Sequence, residues 1–227
     1  MLNVKNTILE SLLSVVAPHL CSGCGRVGGT FCNNCKYDII DEPYADCILC
    51  EKAFPSGVCA EHKVAFNQAW VVGYRRGGLQ RLFGGFKFRH MKGASVDLAD
   101  LLNMTLPQLP VRTIFVPIPT TPAHIRERGY DHMLLIAMQL GKLRHLPVQQ
   151  LLQRDNMLIQ HHVGRKDRLK QAKTAFRVEG VIDADAIYLI LDDVVTTGAT
   201  ISQAAYLLHR AGATTTWVAV TSRQPLD

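Results

Sequence analysis

The sequence lacks a hydrophobic segment long enough to span a membrane. Its start is fairly apolar, but Lys5 and Glu10 interrupt it. The longest uncharged apolar stretch of this start, from Ser11 to Leu20, falls short of the roughly 20 apolar residues that a transmembrane helix needs. That stretch also ends in a poor cleavage site for a secretion signal. We therefore expect an amphipathic helix at the start of the chain, no membrane contact and a cytoplasmic location.

Cysteine is missing from residues 66 to 227, although the chain contains seven. All seven lie between Cys21 and Cys59. This change in composition predicts two units, a small cysteine-rich module at residues 1–65 and a larger domain at residues 66–227. An odd number of cysteines in a chain without a secretion signal also disfavours a disulfide framework.

Negative charge is scarce in the larger unit. Residues 1–65 hold 5 Lys and Arg against 7 Asp and Glu, whereas the remainder holds 20 against 12. The net charge of +6 is therefore carried by the larger domain. A basic surplus favours an anionic partner such as a phosphorylated metabolite or nucleic acid, although it is also common on soluble domains.

The cysteines that are present have the spacing of zinc ligands. The two-residue gap of a CxxC knuckle lets both sulfurs reach one ion at about 2.3 Å, while backbone amides of the turn point at the thiolates. The eight ligands are Cys21, Cys24, Cys32 and Cys35, then Cys47, Cys50, Cys59 and His62. They suffice for two tetrahedral sites without an open position, so we predict two structural zinc ions, with an iron–sulfur cluster as the alternative.

The sequence leaves the pairing of these ligands open. Either the first four and the last four each form a site, or Cys21 and Cys24 share an ion with Cys47 and Cys50. In both cases we expect the module to stabilise the protein or to contact another protein rather than DNA, because its local charge is already negative.

Past the cysteines, strand and helix patterns alternate. The pattern begins with an apolar segment at Ala69–Tyr74. The elements predicted after it are a helix at Ser95–Met104, a strand at Ile114–Ile118, a helix at His132–Leu143, a strand at Ile187–Leu191, a helix at Thr200–Ala211 and a strand at Thr214–Thr221. The stretch after Tyr74 is Gly-rich and basic. The alternation predicts an α/β fold with a parallel sheet flanked by helices.

The strand at Ile187–Leu191 runs into two carboxylates and a small polar loop. Gly198 allows a tight turn against a ligand, and the helix that follows directs free amides and a positive dipole at it. Further donors are the hydroxyls of Thr196, Thr197 and Thr200. Asp192 and Asp193 would repel a phosphate but suit the hydroxyls of a neighbouring ribose. The segment predicts a sugar phosphate site, with an ordinary strand end and Thr/Gly turn as the alternative.

This segment resembles the phosphoribosyl pyrophosphate motif of type I phosphoribosyltransferases. The resemblance implies that Asp192 and Asp193 hold the 2- and 3-hydroxyls of the ribose and act in catalysis. It implies a 5-phosphate site formed by Thr196, Thr197, Gly198, Ala199 and Thr200. Magnesium would accompany the pyrophosphate group of such a ligand.

The loop after the strand at Ile114–Ile118 should face the same crevice, because ligands bind beyond the carboxyl ends of parallel strands. This loop supplies Thr120, Arg126 and Arg128. The two arginines could neutralise a pyrophosphate leaving group. An exposed basic start of a helix is the alternative.

Over nearly its whole length the chain resembles the ComF/GntX family of competence-associated proteins. The motifs that carry the resemblance are the zinc knuckles, Pro117–Thr120, Arg126–Tyr130, Arg168, Ala175–Phe176 and the loop after Asp192. The chain departs from the family at Asp131 and His132, where members read Asn-Gln, and at Gln171, where members have Asn. Asp131 would either act through magnesium or mark a pocket that has changed its use.

The ComF resemblance implies a role in DNA uptake during natural transformation, with a helicase-like ATPase as partner and contact with single-stranded DNA. Lys87 and Arg89 match a basic strand and loop of the family, which would reach phosphates of the ligand or of DNA. A second basic cluster, at Arg165, Lys166, Arg168, Lys170 and Lys173, is either a hood over the site or a solvated helix face. An active phosphoribosyltransferase of nucleotide or nucleobase salvage is the alternative function.

Overall fold

The computed structural model describes residues 19–154 and 176–225. The helix predicted at the start of the chain and the basic cluster at residues 165–173 lie outside the described residues. The helices are α1 (Asn33–Ile40), α2 (Gly77–Phe88), α3 (Ala94–Thr105), α4 (Pro122–Arg128), α5 (His132–Arg144) and α6 (Ala199–Arg210). The strands are β1 (Gln68–Val71), β2 (Thr113–Pro117), β3 (Leu152–Arg154), β4 (Phe176–Val178), β5 (Ile187–Val195) and β6 (Thr215–Arg223). No helix within these residues is long and apolar enough to cross a bilayer.

Four strands form one parallel sheet in the order β1-β6-β5-β2. Strand β5 is one of the two interior strands, with Leu189 paired to Phe115 of β2 and to Trp217 of β6. Parallel neighbours need crossover connections, and these carry the helices. Strands β3 and β4 form a separate antiparallel pair. The predicted α/β fold with a parallel sheet flanked by helices is confirmed.

Strand β5 is buried on both faces, which explains its continuous apolar sequence. Leu189 and Leu191 pack in one cluster with side chains of α2, α3 and α5. Tyr188 and Ile190, which alternate with them, pack in a second cluster with side chains of α6. Helices therefore cover both faces of the sheet and leave its carboxyl edge for a site.

The Gly-rich stretch after Tyr74 folds as helix α2, which the sequence patterns did not predict. Its buried apolar side chains recur at helical spacing, at Leu79, Leu82, Phe83 and Phe86. The four glycines in the same 12 residues lower helix propensity and obscure that pattern. Lys87 therefore lies on the last turn of a helix and Arg89 just beyond it, so the predicted basic strand and loop are wrong.

Strand β5 extends past its predicted end at Leu191, so both adjacent acids are strand residues. Asp192 pairs with Val220, and the ladder with β6 continues to the pairing of Val195 with Arg223. Successive residues of a strand point to opposite faces. The carboxylates of Asp192 and Asp193 therefore diverge.

The described part of the cysteine module packs directly on the larger domain. Cys21 and Phe31 belong to the same buried cluster as α2 and α3. The buried ammonium of Lys36 in α1 lies 2.7 Å from the Asp97 carboxylate and 2.8 Å from that of Asp100, both on α3. The boundary between residues 65 and 66 stays a prediction.

Candidate functional site

A small cleft lies where β5 passes into α6 at the carboxyl edge of the sheet. Its lining comprises Asp192, Val194, Val195, Thr196, Thr197, Gly198, Ala199, Thr200 and Ile201. Gly198 has φ 74°, in the left-handed region that glycine adopts without strain, and it directly precedes the first turn of α6. Thr196 and Thr197 are exposed. All five residues predicted to form a 5-phosphate site thus share one cleft with one of the two acids.

Asp192 is the acid that lines this cleft. The Asp192 carboxylate accepts a hydrogen bond of 2.9 Å from the backbone amide of Asp193, and Asp192 is only 8% exposed. Burial, followed by the charge of Asp193, raises the pKa of Asp192 to about 7, although Lys87 and Arg154 oppose the rise. Near neutral pH this group can accept hydrogen bonds from a ligand hydroxyl or hold a proton itself.

Asp193 lies in a buried polar network on the other face of the strand. His132 Nε2 is 2.7 Å from its Oδ2, and Lys87 forms an ion pair with the same oxygen. Burial alone would raise the pKa of Asp193, but the hydrogen bond from His132 and the charge of Lys87 outweigh it and hold the pKa well below its usual value. The two adjacent acids therefore differ in surroundings and in charge state.

His132 joins this network to the loop after β2. Its Nδ1 lies 3.2 Å from Nη1 of Arg128, and because a guanidinium can only donate, Nδ1 accepts and Nε2 carries the proton toward Asp193. Thr120 Oγ1 also lies 2.8 Å from Nδ1. In the sequence, His132 stood out only as a departure from the family pattern. Its contact with Asp193 joins residues that are 61 positions apart in the chain.

Asp131 has an evident structural role. Its Oδ1 accepts from the amide of Leu134 at 3.1 Å, which caps the first turn of α5. Oδ1 also accepts from the hydroxyl of Thr120 at 2.8 Å, and Oδ2 accepts from the amide of Thr120 at 3.2 Å. The carboxylate thus connects the loop after β2 to the start of α5. This structural role differs from both roles that the sequence suggested for Asp131.

The two arginines predicted for pyrophosphate are in different environments. Arg126 is exposed on α4, whereas Arg128 is buried with its guanidinium 5.8 Å from the ring centre of Phe88. The Nε of Arg128 is buried and has no hydrogen-bond partner among the described residues. Arg128 therefore belongs to the buried network, and Arg126 is available to solvent.

Arg154 lies near the site but was not predicted from the sequence. Its Nε donates to the carbonyl of Pro119 at 2.9 Å, and its guanidinium lies 4.9 Å from the ring centre of Phe176. Its charge acts on both Asp192 and Asp131. It ends a three-residue strand without a local motif, so only the tertiary fold brings its charge within electrostatic reach of Asp192.

The cysteine module forms two compact ligand groups. Within each group all ligand atoms lie within 4.8 Å of one another: the groups are Cys21, Cys24, Cys32 and Cys35, and Cys47, Cys50, Cys59 and His62. The structure thus pairs the ligands sequentially and not in the interleaved arrangement.

The geometry of both groups fits zinc. Four ligands at about 2.3 Å from a tetrahedral ion are separated by about 3.8 Å. Sulfur–sulfur distances are 3.7 Å for Cys21 and Cys35, and 3.8 Å for Cys50 and Cys59. In the second group Nε2 of His62 is buried without a hydrogen-bond partner among the described residues, as expected of a nitrogen reserved for a metal. When bound, zinc would supply cross-links that hold the knuckles together.

Backbone amides point at the thiolates, as the CxxC spacing predicts. The amides of Gly23 and Cys32 each lie 3.3 Å from Sγ of Cys21. In the second group the amide of Cys59 lies 3.4 Å from Sγ of Cys47. Burial raises the pKa of Cys21, but hydrogen bonds from the amides of Cys32, Cys24 and Gly23 outweigh it and lower the pKa to about 6, which favours the metal-binding thiolate.

The fold and its sites define an α/β protein with a Thr/Gly loop at the carboxyl edge of a parallel sheet and two Cys/His centres. No family model matches the chain. It is 25% identical to Competence protein F of Haemophilus influenzae over 88% of each chain. It is 29% identical to Competence protein ComFC of Streptococcus pneumoniae, covering 86% of this chain and 83% of that one. It is 27% identical to DNA utilization protein YhgH of Escherichia coli, covering 86% and 84%. These similarities confirm the resemblance to the ComF family that was predicted from the motifs of the chain.

Proposed function

We propose that this chain binds a ribose 5-phosphate group, in the form of phosphoribosyl pyrophosphate, and takes part in DNA uptake. The observation that carries the ligand assignment is the cleft that Asp192 shares with the loop Thr196–Thr200. A phosphate fits the loop because the helix that follows offers backbone amides and the positive end of its dipole. The carboxylate of Asp192, four residues before the loop, would repel that phosphate but accepts hydrogen bonds from ribose hydroxyls.

Cations near Asp192 would serve the pyrophosphate part of the ligand. Lys87 and Arg154 both act on the charge of Asp192, so they lie within electrostatic reach of the cleft. The other residues proposed for the pyrophosphate, Thr120, Arg126 and Arg128, lie on the loop and helix that follow β2. Magnesium, when it accompanies the ligand, supplies further charge neutralisation.

The DNA-uptake role rests on the relatives, which are named competence proteins and DNA utilization proteins. A surface beside the cleft supports direct contact with single-stranded DNA. Phe88 is 66% exposed at the end of α2, with Arg89 exposed next to it. The contact between Phe88 and Arg128 brings α4, with its exposed Arg126, to the same place. Exposed aromatic and cationic side chains together suit base stacking and backbone contact. A helicase-like ATPase remains the proposed protein partner.

The ligand assignment is tested by calorimetric titration of the zinc-loaded protein with phosphoribosyl pyrophosphate and magnesium. Asp192→Asn should abolish binding, whereas Asp185→Asn, an exposed acid outside the cleft, should not change it. Asp193 is a poor test residue because its loss would leave Lys87 buried without its partner. Equal binding by all three proteins, or no binding by the folded wild type, would refute the assignment.

Active phosphoribosyl transfer is the second candidate function. Buried Asp192 beside cationic Lys87 and Arg154 could stabilise charge that develops on the ribose as pyrophosphate leaves. Release of pyrophosphate that is stimulated by one nucleobase and lost in Asp192→Asn would establish turnover. Binding without such release would assign the site to ligand sensing during DNA uptake.

A further inference from the structure

The second cysteine centre touches the phosphate loop through Leu49, which lies between two of its ligands, Cys47 and Cys50. Leu49 is half-buried and packs against the core cluster that contains α6. A Cβ added at Gly198 would overlap Cδ2 of Leu49, so the knuckle lies directly against the turn that opens α6. A side chain of the second cysteine centre thus lies against Gly198, the residue of the cleft that leaves no room for a side chain of its own.

A buried ion pair makes a second connection. Arg223, at the end of β6, is completely buried, and its Nε lies 3.4 Å from Oε1 of Glu51. The same guanidinium donates from Nη1 to the carbonyls of Val195, at 3.3 Å, and of Thr196. Glu51 directly follows the ligand Cys50 in the chain. One arginine therefore ties the second knuckle to the backbone of the phosphate loop.

The conformation of Glu51 depends on the knuckle that precedes it. Its φ of 59° lies in the left-handed region, which is unfavourable for a side chain other than glycine. The turn is closed by the amide of Glu51 donating to the carbonyl of Cys47 at 2.9 Å and by the amide of Cys47 donating to the carbonyl of Lys52 at 2.7 Å. A metal shared by Cys47 and Cys50 would fix the ends of this turn and so hold Glu51 in place.

The first cysteine centre has different neighbours. Arg81 of α2 donates from Nε to the carbonyl of Ser22 at 2.6 Å and from Nη2 to that of Gly23 at 2.8 Å. Neither of these contacts reaches the loop after β5. The two centres are therefore not equivalent, and the connection to the phosphate loop belongs to the second.

We propose that metal binding at the second centre positions the phosphate loop, with Leu49 and Glu51 as the positioning residues. Leu49 supports the turn at Gly198 from outside, and Glu51 holds Arg223 where it fixes the carbonyls of Val195 and Thr196. Loss of the metal would release both supports at once and loosen the loop. The inference deepens the proposed function, since the loop is the site assigned to the 5-phosphate.

Hydrogen exchange of the loop in the zinc-loaded protein without ligand tests the proposal independently of any ligand. Leu49→Ala and Glu51→Gln should each speed exchange of amides 196–202 by about tenfold or more, with both zinc ions retained. Leu49→Met, which can keep the contact, should restore slow exchange. Glu61→Gln is the matched control, because Glu61 lies in the same module but is exposed and pairs with Lys52 at the surface.

The link to the metal is tested by His62→Ala. This variant should bind one zinc per chain instead of two, and its loop should exchange as fast as that of Leu49→Ala. Affinity for phosphoribosyl pyrophosphate should fall about tenfold or more in all three loosened variants. If Glu51→Gln fails to fold because Arg223 loses its partner, Leu49→Ala decides alone, since it leaves that ion pair intact.

Wild-type exchange rates in Leu49→Ala, or in His62→Ala with one zinc bound, would overturn the proposal. Failure of the proposed function gives a different result. In that case the wild type binds no phosphoribosyl pyrophosphate, yet the exchange comparison still shows whether the second centre holds the loop.

Discussion

Replacing Asp192 with asparagine should stabilise the folded protein at neutral pH while removing ligand binding. The pKa of Asp192 is raised from 3.8 to about 7, first by burial and second by the charge of Asp193. The unfolded chain therefore releases this proton at lower pH than the folded chain does. The free energy of unfolding falls as pH rises from about 4 to about 7, because the unfolded chain is then ionised, whereas folding must either bury the charge of Asp192 or take up a proton.

The size of the effect follows from the shift. Each pKa unit corresponds to about 1.4 kcal/mol, so a shift of about three units costs the folded state about 4 kcal/mol above pH 7. Asparagine has nearly the same shape and no charge to bury. The gain in the free energy of unfolding should be about 2 kcal/mol at pH 5.5 and about 4 kcal/mol at pH 8.

Urea unfolding of both proteins with zinc present, at half-unit steps from pH 5.5 to pH 8, measures this difference. The pH dependence of zinc binding is common to wild type and variant and cancels in the comparison. The matched control is Asp185→Asn, since Asp185 is exposed and its replacement should leave the free energy of unfolding close to that of the wild type at every pH. A variant that is less stable than the wild type, or a gain that does not grow with pH, would refute the account of Asp192 as a destabilising binding residue.

Three further predictions concern the other parts of the site. Lys87→Met should lower the free energy of unfolding by about 3 kcal/mol in urea unfolding, because Asp193 loses its buried cation. A change of less than about 0.5 kcal/mol would contradict the ion pair. Gly198→Ala should weaken phosphoribosyl pyrophosphate binding in calorimetry, because alanine is strained at φ 74° and its Cβ would overlap Leu49. Unchanged affinity would contradict the role of this turn. Replacing Cys24 and Cys32 together by serine should remove one zinc ion per chain, counted by atomic emission, because both belong to one group; loss of both ions would favour the interleaved pairing.

The sequence was sufficient to predict features that depend on neighbours in the chain. The CxxC knuckles, the apolar run of β5 and the turn at Gly198 each carry their signal within a few residues, and each takes the predicted form. Helix α2 was missed because its glycines obscured a short apolar periodicity. That error also misplaced Lys87, since a strand and a helix direct a side chain differently.

Contacts between distant segments were beyond the reach of the sequence. Arg154 acts electrostatically on Asp192, and Arg223 forms an ion pair with Glu51; in both cases the two residues are far apart in the sequence. Neither arginine stands in a motif. The residues of such contacts look like ordinary surface charges until the sheet and its connections fix which of them are buried.

The adjacent acids show how a local motif and the fold combine. A run of two carboxylates suggests two equivalent ligands for a ribose, but a strand must direct them to opposite faces. On one face Asp193 meets His132 and Lys87, which satisfy it and hold it ionised. On the other face Asp192 lines the cleft, and burial beside the charge of Asp193 raises its pKa. The fixed charge of Asp193 thus helps to make Asp192 the acid that gains most from a ligand, because a hydroxyl donor or a cation would relieve the cost of its ionisation.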